Sequence, residues 1–152
     1  MSSVPEDWVY GGWPKSGEID VMETVGHEAD KFFGTVHTEA YNHGIGTERG
    51  GSLSKSKDEW HIFEIDWQAD NIRFAVDRQV FYQFIPGNVA DYMQWPFDQD
   101  FHLLMNIAVG GSSGGAQSVD AASFEGAGQM MEVDWVRVYS SLRPLPDSLL
   151  GT

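Results

Sequence analysis

Apolar and polar residues alternate at a period close to two in several segments of the chain, and no apolar stripe of helical period reaches the length of a helix. In residues 60–67, for example, Phe63, Ile65 and Trp67 fall on one face of an extended strand and mostly polar residues fall on the other. This is the period of a half-buried β-strand. The sequence therefore predicts an all-β fold and argues against helical bundles and βαβ folds.

The strand-like segments are short, and long loops rich in glycine and proline separate them. They lie at residues 60–67, 72–76, 80–84, 101–109 and 130–139. The first three follow one another closely and predict an antiparallel meander. The last is rich in β-branched and aromatic residues but alternates imperfectly, which indicates a strand covered on both sides. Together the segments predict an antiparallel β-sandwich or barrel with Trp60, Trp67 and Trp135 in its core.

The composition of the 152-residue chain excludes several classes of function. Because it contains no cysteine, disulfide scaffolds, zinc ribbons and thiol catalysis are ruled out. Its net charge of −14 leaves no basic stripe for phosphates, so no nucleic-acid partner is expected. No apolar stretch approaches the roughly 20 residues of a membrane helix, and no signal peptide is recognisable. The sequence therefore predicts a soluble protein with no membrane contact.

Three acidic residues, Glu18, Asp20 and Glu23, lie close together in the pattern E-x-D-x-x-E. On a regular strand Glu18 and Asp20 share one face, but strict alternation would turn Glu23 into the core, where an unpaired carboxylate is costly. A β-bulge at Val21–Met22, which counts two residues as one, returns Glu23 to the acidic face. We therefore predict a bulged strand that carries three acids on one face.

The spacing of the two glutamates fits a pair of carboxyl groups that act together. Their Cα atoms would lie roughly 13 Å apart, and side chains that lean inward would bring the carboxyl groups to roughly 5 Å, as in retaining glycosidases. Like charges this close cannot all ionise at their ordinary pKa values, so one acid keeps the proton that a general acid needs. The alternative is an exposed strand face with three solvated acids.

Two tryptophans, Trp8 and Trp13, precede the acidic strand in a loop that contains glycine and proline. Indole rings stack on the apolar C–H faces of sugar rings, and clefts for neutral sugars use such platforms. We therefore predict that Trp8 and Trp13 contact a sugar. Core packing is the alternative for each of them.

These residues resemble glycoside hydrolase family 16, and most of all its laminarinase branch of endo-1,3-β-glucanases. The resemblance runs in the family's order through residues 10–23, 34–38, 60–67, 96–98, 106–111 and 131–139. It implies a jelly roll, a concanavalin A-like antiparallel β-sandwich, with the catalytic strand in a concave cleft. It also implies retaining hydrolysis of internal β-1,3-glucosidic bonds in laminarin-type β-glucans by double displacement.

The resemblance also assigns roles to individual residues. Glu18 resembles the nucleophile and Glu23 the acid/base, and Asp20 between them would hydrogen-bond the nucleophile. The spacing is similar to the bulged form of laminarinases rather than to the shorter E-x-D-x-E form of lichenases. Trp13 matches a sugar-stacking position. His37 lies on the strand expected beside the acids, where a purely structural histidine is the alternative.

Two residues further along the chain complete the predicted site. Asn106 is expected to offer a hydrogen-bonding group in the cleft, with a satisfied core amide as the alternative. Asp134 matches a position where the family often binds a structural calcium ion, although calcium needs several oxygen ligands. No cofactor is expected for catalysis. The resemblance further implies a neutral β-glucan as the partner, a monomeric state, and an extracellular or periplasmic parent protein.

A complete domain of the resembled family carries further strands before Trp8. The sequence therefore predicts a partial catalytic domain over residues 1–140, without its N-terminal strands, and a C-terminal tail over residues 141–152. Two other functions stay open beside the glucanase: a non-catalytic β-glucan-binding protein or inactive fragment, and a galactan-cleaving relative with the same acid spacing. The three intact acids favour an enzyme.

Overall fold

The computed structural model describes residues 1–28, 30–110, 119, 121–126 and 128–140, and it confirms the all-β fold. In this part of the chain the strands are β1 (Ser2–Pro5), β2 (Glu18–Glu23), β3 (Lys31–His37), β4 (Arg49–Ser54), β5 (Phe63–Trp67), β6 (Ile72–Val76), β7 (Gln79–Phe84) and β8 (Phe101–Leu104). Short three-ten helices lie at His43–Ile45 and Ala121–Phe124. None of the helices among these residues is long and apolar enough to cross a membrane.

The strands form two antiparallel sheets. One sheet has five strands in the order β4-β3-β2-β1-β8, and the other has three in the order β5-β6-β7. The three-stranded sheet is the predicted meander, which the structure confirms. Asp77 and Arg78 join β6 to β7 with positive φ angles of 51° and 67°, as a tight two-residue hairpin turn requires.

The hydrophobic core lies between the two sheets. Ile19 and Val36 enter it from the five-stranded sheet, and Ile72 and Phe74 enter it from the three-stranded sheet. All four residues are 0% exposed. Phe84, Trp95 and Phe97 complete the core, and Trp67 packs against it as predicted. The sheets therefore form a sandwich, and the outer face of β2 and β3 is left free for polar side chains.

Gly34 in β3 lies where the two sheets approach each other closely. A Cβ atom at this position would lie 2.6 Å from Cδ1 of Phe74 and 3.0 Å from Cζ of Phe81. A glycine inside a strand is often required where another group comes this near. The missing side chain therefore lets the large aromatic residues of β6 and β7 fill the core against β3.

The prediction of a strand over residues 130–139 is wrong. Among the described residues this segment pairs with no strand, and its side chains are mostly exposed, Val138 at 92%. Without a hydrogen-bonding neighbour, β-branched and aromatic residues do not form a strand. The segment belongs to a second compact unit, residues 106–144, which is distinct from the unit that contains residues 1–105. Within it the Arg137 guanidinium lies 4.6 Å from the ring centre of Trp135.

Two smaller predictions also need correction, and a third concerns residues that the structure does not describe. The strand predicted at 101–109 ends at Leu104. Trp60 and Trp135 are not core residues, because they are 68% and 44% exposed. The tail predicted at 141–152 lies outside the described residues.

Replacing Gly34 with alanine is expected to destabilise the fold. The new methyl group would overpack the contact with Phe74, so the free energy of unfolding should fall by about 1–3 kcal/mol in urea denaturation. Gly26→Ala is the matched control, because a Cβ atom there meets nothing within 4 Å. Equal stability of the two variants would contradict the close approach.

Candidate active site

The acidic strand β2 contains the predicted bulge. Asp20 pairs with Thr35 of β3 and Glu23 pairs with Phe33, so three steps along β2 match two steps along β3. The extra residue falls at Val21–Met22, which confirms the prediction. Directly paired residues of neighbouring strands lie on the same face of a sheet, so the bulge places Glu23 on the same face as Asp20.

Asp20 and His37 form a buried pair at the centre of this face. His37 Nε2 lies 3.1 Å from Asp20 Oδ2, and the two residues are only 7% and 3% exposed. Glu18 is paired with His37 across the strands. One ligand-type atom from each of Glu18, Asp20 and His37 lies within 4.8 Å of the others. The resemblance predicted a hydrogen bond from Asp20 to Glu18, whereas the bond that the structure shows at Asp20 is to His37.

Burial and neighbouring charges raise the pKa values of three groups in this cluster. Burial raises the pKa of Asp20, and the charge of Glu18 adds to this, although the hydrogen bond to His37 opposes it. Burial alone would lower the pKa of His37, but the hydrogen bond and charge of Asp20 outweigh it, so that pKa is raised. The pKa of Glu23 is also raised, first by partial desolvation of its carboxyl group and then by Asp20. Glu23 is exposed as a whole residue, so desolvation of the carboxyl end is the physical cause.

Trp13 holds the other glutamate in place. Its indole Nε1–H donates a hydrogen bond of 2.7 Å to Oε2 of Glu18. The ring is 40% exposed and lies 5.9 Å from the ring centre of His37 and 4.9 Å from that of His43. Trp13 therefore fixes the carboxylate of Glu18 and still presents surface to a ligand.

The loop that carries Trp13 is anchored at both ends. The buried Ser16 hydroxyl donates to the carbonyl of Gly11 at 2.7 Å and accepts the N–H of Tyr10 at 3.0 Å. The Gln99 side-chain amide donates to the carbonyl of Ser16 at 3.1 Å. Gly17, at a φ of 86°, lies so close to Pro96 that a Cβ atom would be 2.8 Å from its Cγ. These contacts fix where β2 begins and where the indole points.

His43 belongs to the site, and sequence reasoning missed it. Its ring lies edge-on to His37 at 5.1 Å as well as beside Trp13, and its charge acts to lower the pKa of Glu23. It begins the short three-ten helix after β3, and the preceding Asn42 donates a 3.0 Å hydrogen bond from its Nδ2 to the carbonyl of Thr38. The only sequence signal is a histidine six residues after His37, which no strand periodicity singles out.

The other predicted site residues are Trp8, Asn106 and Asp134. Trp8 is 37% exposed, with a positive φ of 51°. Asn106 and Asp134 belong to the second compact unit, and both are exposed. Their roles, including calcium at Asp134, stay predictions. Calcium takes six to eight oxygen ligands. The two carboxylates of Glu18 and Asp20 and the imidazole of His37 do not supply them, so the acidic cluster does not fit that ion.

Replacing Glu23 with glutamine is expected to stabilise the protein at neutral pH. Because the pKa of Glu23 is raised in the folded state, its contribution to stability is complete below its ordinary pKa of 4.5 and is lost as the pH rises through the raised value. The melting temperature of Glu23→Gln should therefore exceed that of the wild type at neutral pH and match it in acid. Glu59→Gln, at an exposed loop position, should show no such pH-dependent gain. A glutamine variant less stable than the wild type at neutral pH would contradict the raised pKa of Glu23.

Comparison with known proteins supports the fold. The beta-glucanase of Rhodothermus marinus is 46% identical over 144 residues, which cover 90% of this chain and 49% of the relative. The X-ray structure of the laminarinase from Rhodothermus marinus matches with a TM-score of 0.76 and 45% identity, over 81% of this chain and 52% of that one. The fold is thus the jelly-roll sandwich that the sequence predicted.

A more distant relative is named for binding rather than for hydrolysis. A beta-1,3-glucan-binding protein of Penaeus monodon is 31% identical over 141 residues, which cover 73% of this chain and 38% of that protein. The chain spans about half the length, or less, of the curated relatives described here. The model of the family described as glycosyl hydrolases family 16 matches residues 4–137, and the chain therefore belongs to glycosyl hydrolase family 16.

Proposed function

We propose that the chain carries the catalytic strand of a retaining endo-glucanase that hydrolyses internal β-1,3-glucosidic bonds of laminarin-type glucans. The observation that carries the proposal is the bulge in β2, because it places Glu23 on the same sheet face as Asp20 and the buried His37. Membership of the family and the names of the Rhodothermus marinus beta-glucanase and laminarinase support the reaction class.

In the first step the Glu18 carboxylate attacks the anomeric carbon of the sugar. A bond forms between a Glu18 oxygen and that carbon while the bond to the glycosidic oxygen breaks, and Glu23 gives its proton to the departing oxygen. The hydrogen bond from Trp13 orients Glu18 for this attack. Desolvation and the charge of Asp20 raise the pKa of Glu23, which favours the protonated form that a general acid needs.

In the second step Glu23, now ionised, takes a proton from water as that water attacks the same carbon. The ester to Glu18 breaks, and the carboxylate returns to its starting charge. Asp20 and His37 share a proton beside both glutamates, so a negative charge can form on Glu18 or Glu23 without a third unpaired carboxylate beside it. Two displacements at one carbon retain the configuration of the sugar.

The Glu18→Ala variant tests the proposal. It should lower the release of reducing ends from laminarin by at least roughly a thousandfold, while Glu59→Ala should keep wild-type activity. Product analysis on lichenan and agarose separates the linkage alternatives, and NMR of the first products should show retention. A wild-type protein that binds laminarin without Glu18-dependent hydrolysis would instead identify a glucan-binding protein, the function that the Penaeus monodon relative makes the second candidate.

The pH profile tests the electrostatic part of the mechanism. Asp20 raises the pKa of Glu23 and His37 lowers it, and the basic limb of kcat/KM reports the acid that must be protonated. Asp20→Asn should therefore move this limb to lower pH, and His37→Gln should move it to higher pH. Asp58→Asn, on an exposed loop, should leave it in place. Shifts in the same direction for the first two variants would refute the charge coupling.

The remaining predictions concern the parent protein. We propose a neutral β-glucan as the partner, a monomeric state, an extracellular or periplasmic location and no cofactor for catalysis. The excess of acidic over basic residues supports a neutral substrate, since an anionic polymer would be repelled.

A further inference from the structure

The hydrogen bond that Trp13 donates to Glu18 depends on the orientation of the indole ring. The ring is 40% exposed, and its Nε1 lies 2.7 Å from Oε2 of Glu18. Of the two imidazoles that the structure shows beside it, His43 is the nearer, at 4.9 Å between ring centres and 35° between planes, against 5.9 Å and 54° for His37. This is the separation of a packed aromatic pair. His43 therefore limits how far the exposed indole can turn.

His43 also contacts the buried part of the site. Its ring meets that of His37 edge-on, with 5.1 Å between ring centres and 86° between planes. His37 is buried and is paired with Asp20, so its ring is a fixed surface for a neighbour to pack against. The imidazole of His43 thus lies against an exposed ring, that of Trp13, and against a buried one.

The segment that carries His43 is held by its own hydrogen bonds. The backbone N–H of Asn42 donates to Oγ1 of Thr47 at 3.2 Å, and the N–H of Thr47 donates to the carbonyl of Asn42 at 3.0 Å. The Thr47 hydroxyl donates to the carbonyl of Ala40 at 3.0 Å, and the N–H of Gly46 donates to the carbonyl of His43 at 3.2 Å. A group on such a preformed segment loses little freedom when a ligand binds. The fold itself therefore sets the position of this imidazole.

We propose that His43 is a positioning residue whose ring keeps the indole of Trp13 in the orientation that bonds Glu18. It acts through Trp13 and not on the reacting atoms, and the contact needs a flat ring rather than a charge. The inference rests on the proposed function, because Glu18 is the nucleophile of that reaction. A nucleophile displaced by about 1 Å reacts much more slowly, so the loss of His43 should appear in kcat.

Solvent exchange of the Trp13 indole N–H, followed by NMR in the full chain, tests the orientation without hydrolysis. Its resonance is the one that Trp13→Phe removes. His43→Ala should speed the exchange about three- to tenfold, because the indole turns away from Glu18. His43→Phe should recover most of the wild-type rate, and His27→Ala, at another exposed histidine, should keep it. The buried indole of Trp95 is the internal reference, because a fold that is merely less stable would exchange faster at both tryptophans.

Steady-state kinetics on laminarin test the consequence for Glu18. Each variant is measured at its own pH optimum, since the charge of His43 also acts on Glu23. His43→Ala should lower kcat about tenfold and change KM less than about twofold, and His43→Phe should recover most of kcat. In a Trp13→Phe background, where the hydrogen bond is already absent, His43→Ala should lower kcat no further.

Four outcomes would overturn the positioning role: unchanged exchange at Trp13 in His43→Ala, equally faster exchange at Trp95, a loss of kcat in His43→Phe as large as in His43→Ala, or losses that add in the double variant. Exchange that responds as expected in a protein that hydrolyses no laminarin keeps the positioning role and refutes the proposed reaction. Hydrolysis that depends on Glu18, with exchange that does not respond, keeps the reaction and refutes the role of His43.

Discussion

The buried pair of Asp20 and His37 is the interaction on which the geometry of the site depends. An isolated carboxylate at this depth would be strongly disfavoured, and the imidazole of the neighbouring strand offsets part of that cost at 3.1 Å. Because the pair joins the centre of β2 to the end of β3, it ties the acids to the register of the sheet. Glu18 and Glu23 lie on either side of it along β2, so the pair is placed between the two glutamates.

The stability that this cluster contributes falls as the pH rises. The pKa values of Asp20, His37 and Glu23 are all raised, so the folded state binds these protons more tightly than the unfolded chain does. Each shift therefore lowers the stability of the fold as the pH rises. The opposing contribution comes from the apolar core on the other face of the same strands, where Ile19 and Val36 are fully buried. The stabilisation from the apolar face of β2 and β3 therefore offsets the destabilisation that arises on the acidic face as the pH rises.

The sequence was sufficient for features that depend on local pattern and on the cost of burial. The bulge at Val21–Met22 could be predicted because a regular strand would have buried Glu23. The meander could be predicted because its strands are consecutive. The prediction of a strand at 130–139 was wrong because a strand needs a neighbouring strand to hydrogen-bond with, and the residues of the segment do not specify one. His43 was missed for a related reason: it reaches Trp13 through a loop whose path depends on contacts far from any periodic pattern.

The glycines of β3 and β4 show how one pair of strands serves both faces of the sheet. Gly34 and Gly51 are paired with each other, and both face the core, where a Cβ atom would collide with Phe74 or Tyr82. Gly50, one residue away from Gly51, faces the opposite side and leaves space beside the acids. Side chains alternate between faces along a strand, so the consecutive glycines at 50 and 51 answer two independent requirements. At Gly50 a side chain would collide with Gly34 and Thr35 on the face that carries the acids, and at Gly51 a side chain would collide with Tyr82 of the opposite sheet.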